Sequence, residues 1–120
     1  MHGAASARLQ PGQPRDAAFA DLRTAVADLA PSPGRHDADW PGLACVCADA
    51  PRMPDWVLYR PSLCVVAQGA KEAELGGEIY RYDAFHYLVS GAPLPARSQI
   101  VEATLQRPFY SVSLAVDLAA

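Results

Sequence analysis

The chain has 120 residues, 51% of them hydrophobic and 19% charged, with 8 Gly and 11 Pro, proportions that describe one globular domain and exclude two ordinary ones. Ten Lys and Arg against 13 Asp and Glu leave a net charge of −3, without the basic excess by which a domain that grips nucleic acid on its own offsets phosphate repulsion. No apolar run approaches the roughly 20 residues that cross a bilayer, and after Met1 the first fourteen residues hold only Leu9 as a large apolar side chain, so neither a membrane span nor a secretion signal is expected and the cytoplasm is the expected compartment.

Residues 1–14 are Ala, Gly, Gln and Pro without periodicity and read as a flexible arm. From Asp16, a suitable N-cap, the apolar residues Phe19, Leu22, Val26 and Leu29 recur at three- and four-residue steps, which predicts one amphipathic helix. Pro31-Ser32-Pro33-Gly34 ends it, because proline lacks an amide hydrogen and restricts the residue before it. Residues 1–35 are therefore an arm plus a helix, and residues 36–120 form the main body.

Beyond Gly34 the chain changes to short segments divided by Pro and Gly about every ten residues. The expected strands are 42–48, 56–59, 63–68, 71–75, 78–82, 85–89, 98–103 and 109–118, enough for a sandwich or barrel. Leu75-Gly76-Gly77-Glu78 predicts a two-residue hairpin, since two glycines supply the positive φ angles that such a turn demands. Pro93 and Pro95 predict a loop between Val89 and Ser98. In the last strand Tyr110, Val112, Leu114, Val116 and Leu118 alternate with Phe109, Ser111, Ser113, Ala115 and Asp117, giving one core face and one partly polar face.

A domain of this size buries roughly two thirds of its unfolded surface and needs no disulfide or structural metal. Cys45, Cys47 and Cys64 are odd in number and lie in apolar segments, so they read as free thiols. Cys45 and Cys47 share a strand face, and a zinc or copper site would need Cys64 beside them; packing of small apolar side chains explains the same alternation, and no metal or other cofactor is expected. His2 and His36 lie in or near the arm, leaving His86 as the one histidine of the strand region and no His-x-His pair. No serine stands in a nucleophile elbow, and no Gly-rich turn between strand and helix could cradle phosphate. Glu72 with Glu74, and Asp37 with Asp39, read as solvated charges on strand edges. Trp56, Tyr59, Gln68, His86 and Tyr87, with Cys64 among them, combine apolar area with hydrogen-bonding tips and are the candidate pocket residues.

The segment from Tyr59 to Lys71, Tyr-Arg-Pro-Ser-Leu-Cys-Val-Val-Ala-Gln-Gly-Ala-Lys, resembles the signature of the N-terminal domain of a branch of AraC-type transcription regulators. Tyr80-Arg81-Tyr82-Asp83, His86-Tyr87-Leu88-Val89-Ser90, Leu94-Pro95, Val101-Glu102-Ala103-Thr104 and Arg107-Pro108-Phe109 follow in that family's order, so the similarity spans residues 43–117. The resemblance implies a mainly β, cupin-like double-stranded β-helix barrel preceded by one helix. It implies a non-enzymatic, effector-sensing domain that receives a small molecule or mediates association, a homodimer being one such arrangement, and that controls a separate C-terminal helix-turn-helix domain through which alone DNA is read; that domain would begin where this chain stops. The histidine-and-glutamate cluster of metal-binding cupins is missing. Two other readings are a metal-free cupin isomerase or lyase with His86 as acid or base, and a thiol redox sensor acting through Cys64.

Overall fold

A computed structural model describes residues 4–8, 14–59, 61–84, 86–90 and 94–115. Their elements are β1 (Ala4–Arg8), α1 (Pro14–Leu29), β2 (Gly34–Asp37), β3 (Leu43–Ala48), β4 (Asp55–Tyr59), β5 (Ser62–Gln68), β6 (Ala70–Leu75), β7 (Glu78–Asp83), β8 (His86–Ser90), β9 (Leu94–Glu102) and β10 (Phe109–Ala115). The protein is mainly β. Ten strands form two antiparallel sheets, one in the order β1-β8-β5-β10-β3-β2 and the other β4-β9-β6-β7.

The sheets face each other across a shared core. Ala48 and Val66 of the six-stranded sheet, with Phe109, pack against Ala73, Leu75, Tyr82 and Ala96 of the four-stranded one. The opposite face of the six-stranded sheet carries α1, whose Val26, with Ala30 just beyond its end, closes over Cys45, Cys47 and Ala67. Strand alternation explains this division: on β3 and β5, odd residues 45, 47 and 67 go to the helix and even residues 46, 48, 64 and 66 to the other sheet. A lone helix of this length is marginal in water, and docking on the sheet supplies its stability.

The helix starts at Pro14, two residues ahead of the expected cap, because proline fits a first helical position whose amide needs no intrahelical partner. Its buried stripe runs from Leu22 through Val26 to Ala30, whereas Leu29 is 47% exposed and the side chain of Phe19 lies outside the described residues. Ala30 still donates its amide to the Val26 carbonyl at 2.8 Å before Pro31 stops the ladder.

Every expected strand is present, and two further strands flank them. Residues 4–8, read as an arm, pair with β8 from Ala4 opposite Ser90 to Arg8 opposite His86. The polar segment Gly34-Arg35-His36-Asp37 pairs with β3 as the opposite edge of the same sheet. Neither carries an apolar alternation; both are held by backbone pairing. The hairpin forms as expected, with Gly76 and Gly77 both at positive φ (59° and 85°) between paired β6 and β7. β9 begins at Leu94, four residues earlier than expected. Pro95 is tolerated because its neighbour there is Leu58 of β4 alone, while pairing with β6 starts only at Arg97. The last strand is described to Ala115, so residues 116–118 lie outside the described residues.

Glu72 and Glu74 lie on an interior strand, not on an edge as expected, and on the outer face of the four-stranded sheet. There Arg81 pairs with Glu102 and approaches Glu72 at 3.9 Å, and Gln99 donates to Glu72 at 3.3 Å. Such partly exposed pairs contribute little stability. Asp37 and Asp39 are exposed beside the β2 edge.

The chain passes between the sheets at Gly69, which sits alone between β5 and β6 with φ +83°. A register shift in the β5–β10 pairing accompanies the bend: Tyr110 faces Gln68, while the next residue, Ser111, faces Val66. The Gln68 side chain is buried and donates from Nε2 to the Pro108 carbonyl at 2.8 Å, tying this corner to the start of β10.

Candidate functional site: a cavity between the sheets

The two sheets do not meet evenly. β7 contacts both β5 and β8, closing one side of the sandwich, while β2 and β4 are the outer strands of their sheets on the other side. The closed side is fastened at the turn between β7 and β8, where His86 Nδ1 lies 2.6 Å from Asp83 Oδ1. Toward the open side the sheets enclose a cavity of about 640 Å³, a size typical of small-ligand sites.

Both sheets line it. Val46, Ser62, Cys64, Phe109, Ser111 and Ser113 come from the six-stranded sheet, and Val57, Leu58, Lys71, Ser98 and Ile100 from the four-stranded one, with Arg35 of β2, Gly42 and Ala115 completing the wall. Burial orders them by depth: Phe109 and Ser111 are buried and form the floor, whereas Arg35, Leu58 and Ala115 are exposed and form the rim. Apolar area predominates, with serine hydroxyls spread along the interior, the composition by which a pocket holds an apolar body and fixes it through a few hydrogen bonds.

The alternation of β10 now has a different meaning. Tyr110 and Val112 pack beneath α1, while Phe109, Ser111, Ser113 and Ala115 point into the cavity, so both faces are covered and the partly polar one is the cavity wall. Serines on an inward face are the signal in the sequence that marks this wall. Lys71 and Arg35 carried no comparable signal, because their inward placement depends on which sheet each strand joins.

Of the six residues expected in a pocket, Cys64 lines the cavity, half-buried on β5. Trp56 does not: it is 69% exposed on the outer face of the four-stranded sheet, in register with Arg97. Gln68 is spent on the corner described above. His86 serves the β7–β8 turn, away from the cavity wall, and Tyr87 lies on the register row of Val65, the face turned toward α1. The side chain of Tyr59 lies outside the described residues.

Strand parity also separates the thiols. Cys45 and Cys47 are under the helix and Cys64 is on the cavity side of the same sheet, so the three do not converge; among the described residues no cluster of His, Cys, Asp or Glu has the makings of a metal site. Burial pushes the Cys45 thiol above its ordinary value. Cys47 is raised first by burial and then by the Asp49 carboxylate, against a smaller opposing effect of its hydrogen bond with Tyr110. Tyr110 is itself raised, by burial and by Cys47. Cys45 and Cys47 are buried beneath α1 while Cys64 is half-buried on the cavity side, so iodoacetamide is expected to reach and modify Cys64 in the native protein at least about tenfold faster than either of the others. Peptide mapping after timed quenching measures this, and equal rates at the three positions would contradict the assignment of faces.

Residues 39–120 match the family model described as the AraC-type transcriptional regulator N-terminus. The chain belongs to this family. The match takes in every strand from β3 to β10, and with them both walls of the cavity apart from Arg35, and it agrees with the resemblance carried by the segment from Tyr59 to Lys71. No curated protein and no solved structure matches the chain. Among the described residues no helix is long and apolar enough to cross a membrane.

Proposed function

We propose that this AraC-type N-terminal domain is a non-enzymatic effector sensor of cupin-like form in the cytoplasm. A small molecule enters the cavity between the sheets, and its occupancy is passed to a separate DNA-binding domain. The observation that carries this reading is the cavity of about 640 Å³ with a buried floor, an exposed rim and a wall drawn from both sheets. The route of transmission follows from strand alternation. β10 presents Ser111 and Ser113 to the cavity and Tyr110 and Val112 to α1, so a ligand that prefers one placement of β10 biases the seat of the helix. A ligand acts only through such differential affinity.

Thermal denaturation across a metabolite library tests it. A true effector at 100 times its dissociation constant adds about 2.7 kcal/mol of stability. Ser113→Trp, which places a large ring in the cavity, is expected to fold and to lose that increment. A library without a single stabilising compound would instead favour a dimerising or docking role.

A second reading has one observation in its favour: Cys64 is the thiol that faces the cavity. A redox or electrophile sensor would lose its response in Cys64→Ser, and a full response retained by that variant would remove the reading. The isomerase or lyase reading gains nothing from the site, since His86 is engaged with Asp83 away from the wall.

A further inference from the structure

The outer face of the four-stranded sheet is turned away from the cavity, and strand register arranges its side chains in rows. One row crosses all four strands, with Trp56 of β4, Arg97 of β9, Glu74 of β6 and Ile79 of β7. The next row along the strands holds Gln99, Glu72 and Arg81. Trp56 and Ile79 are each 69% exposed at the two ends of the first row, and Arg97 and Glu74 are exposed between them. Arg81 and Gln99 are engaged with Glu72, whereas among the described residues Arg97 and Glu74 are in no ion pair or side-chain hydrogen bond. The first row is its own complement: apolar, cation, anion, apolar, read backwards, sets each charge against its opposite and each apolar end against another.

We infer that this face is the contact between two copies of the chain, stacked sheet on sheet about a two-fold axis that runs parallel to the strands between β9 and β6. Such an axis keeps each row opposite itself and inverts its order. It sets Trp56 on the partner's Ile79 and Arg97 on the partner's Glu74, each contact made twice. In the second row Gln99 meets the partner's Glu72 and Arg81 comes over the head of the partner's β4, so no like charges meet in either row. An axis across the strands would instead bring Glu74 against the partner's Glu72, and the repulsion of two carboxylates disfavours it. Packed sheets cross at about 30° because each is twisted, and the resulting displacement is smallest at the centre, where Arg97 and Glu74 lie next to the axis. There the flanking apolar contacts exclude water, which strengthens the charge pairs beyond their worth on an open surface. A shallow depression of about 210 Å³ bordered by Ile79 gives the partner's Trp56 a place to seat.

Sedimentation equilibrium of the 120-residue chain tests this. The unaltered chain is expected to dimerise reversibly. Arg97→Glu and Glu74→Arg are each expected to weaken the dimer at least about ten-fold, because either change sets like charges opposite one another twice. Mixed together, the two single variants are expected to associate with one another to within about three-fold of the original affinity, since every facing pair is then opposite in charge. The doubly substituted chain recovers for the same reason. Both positions are exposed, so the variants keep the fold, and a loss of stability in either chain could not be repaired by mixing. A chain that stays monomeric up to about 1 mM, a dimer indifferent to both reversals, or single variants that do not recover on mixing would each overturn the inference. The effector reading is judged separately by the library measurement, because this face is not part of the cavity wall.

Discussion

Gly69→Val is expected to destabilise the protein by about 3–5 kcal/mol, a large share of the roughly 5–15 kcal/mol that holds a domain together. Two separate costs combine at this position. The backbone has φ +83°, a conformation that costs a side-chain-bearing residue about 1–2 kcal/mol. In addition, a Cβ built there would lie 2.4 Å from the Glu102 carbonyl oxygen and 3.1 Å from Phe109 Cα, so backbone from two neighbouring segments would have to move. Gly77→Ala separates the two contributions, because Gly77 has nearly the same φ, +85°, and nothing within 4 Å of the added carbon. Urea denaturation should therefore show a loss of about 1–2 kcal/mol for Gly77→Ala and a clearly larger one for Gly69→Ala. Equal losses would mean that the passage between the sheets yields easily.

Phe109→Ala is expected to cost about 3–5 kcal/mol, measured in the same way. Its ring is 1% exposed and belongs to the core shared by both sheets, and it also forms the floor of the cavity. Removing it joins new empty volume to the space already present, and the surrounding strands cannot close over the gap without leaving their ladders. Phe109→Leu keeps most of the volume and is expected to cost less than about 1.5 kcal/mol. A loss below about 1 kcal/mol for the alanine variant would show that β10 is positioned by its pairing with β3 and β5, not by this ring.

The sequence was informative where local chemistry decides the outcome. The hairpin at Gly76-Gly77 needs only positive φ, which glycine alone supplies readily, and the strands from β3 to β8 announce themselves through apolar alternation. β1 and β2 were hidden because an edge strand can consist of small or polar residues and still be held by the backbone of its neighbour. Pro95 pointed to a loop, and only the uneven lengths of pairing on the two sides of β9 make room for it in a strand. The site was less legible than the fold. Aromatic and polar residues of β4 and β8 were natural pocket candidates, yet the direction each faces depends on sheet membership and register. Trp56 accordingly points to solvent, and residues as ordinary as Ser111 and Ser113 form the wall.

A cavity entered between β2 and β4 requires two strands that end their sheets without a further neighbour, and such strands offer their free amides and carbonyls to any passing chain. Access to the cavity and resistance to aggregation thus make opposite demands on the same few residues. The alternation of Arg35 and Asp37 along β2, and Pro54 with Asp55 at the head of β4, meet the second demand with charge and with a residue that has no amide to offer. Making this entrance more apolar would remove that protection, so how far the mouth of the cavity can lose its charge is bounded by the strand pairing it would then invite.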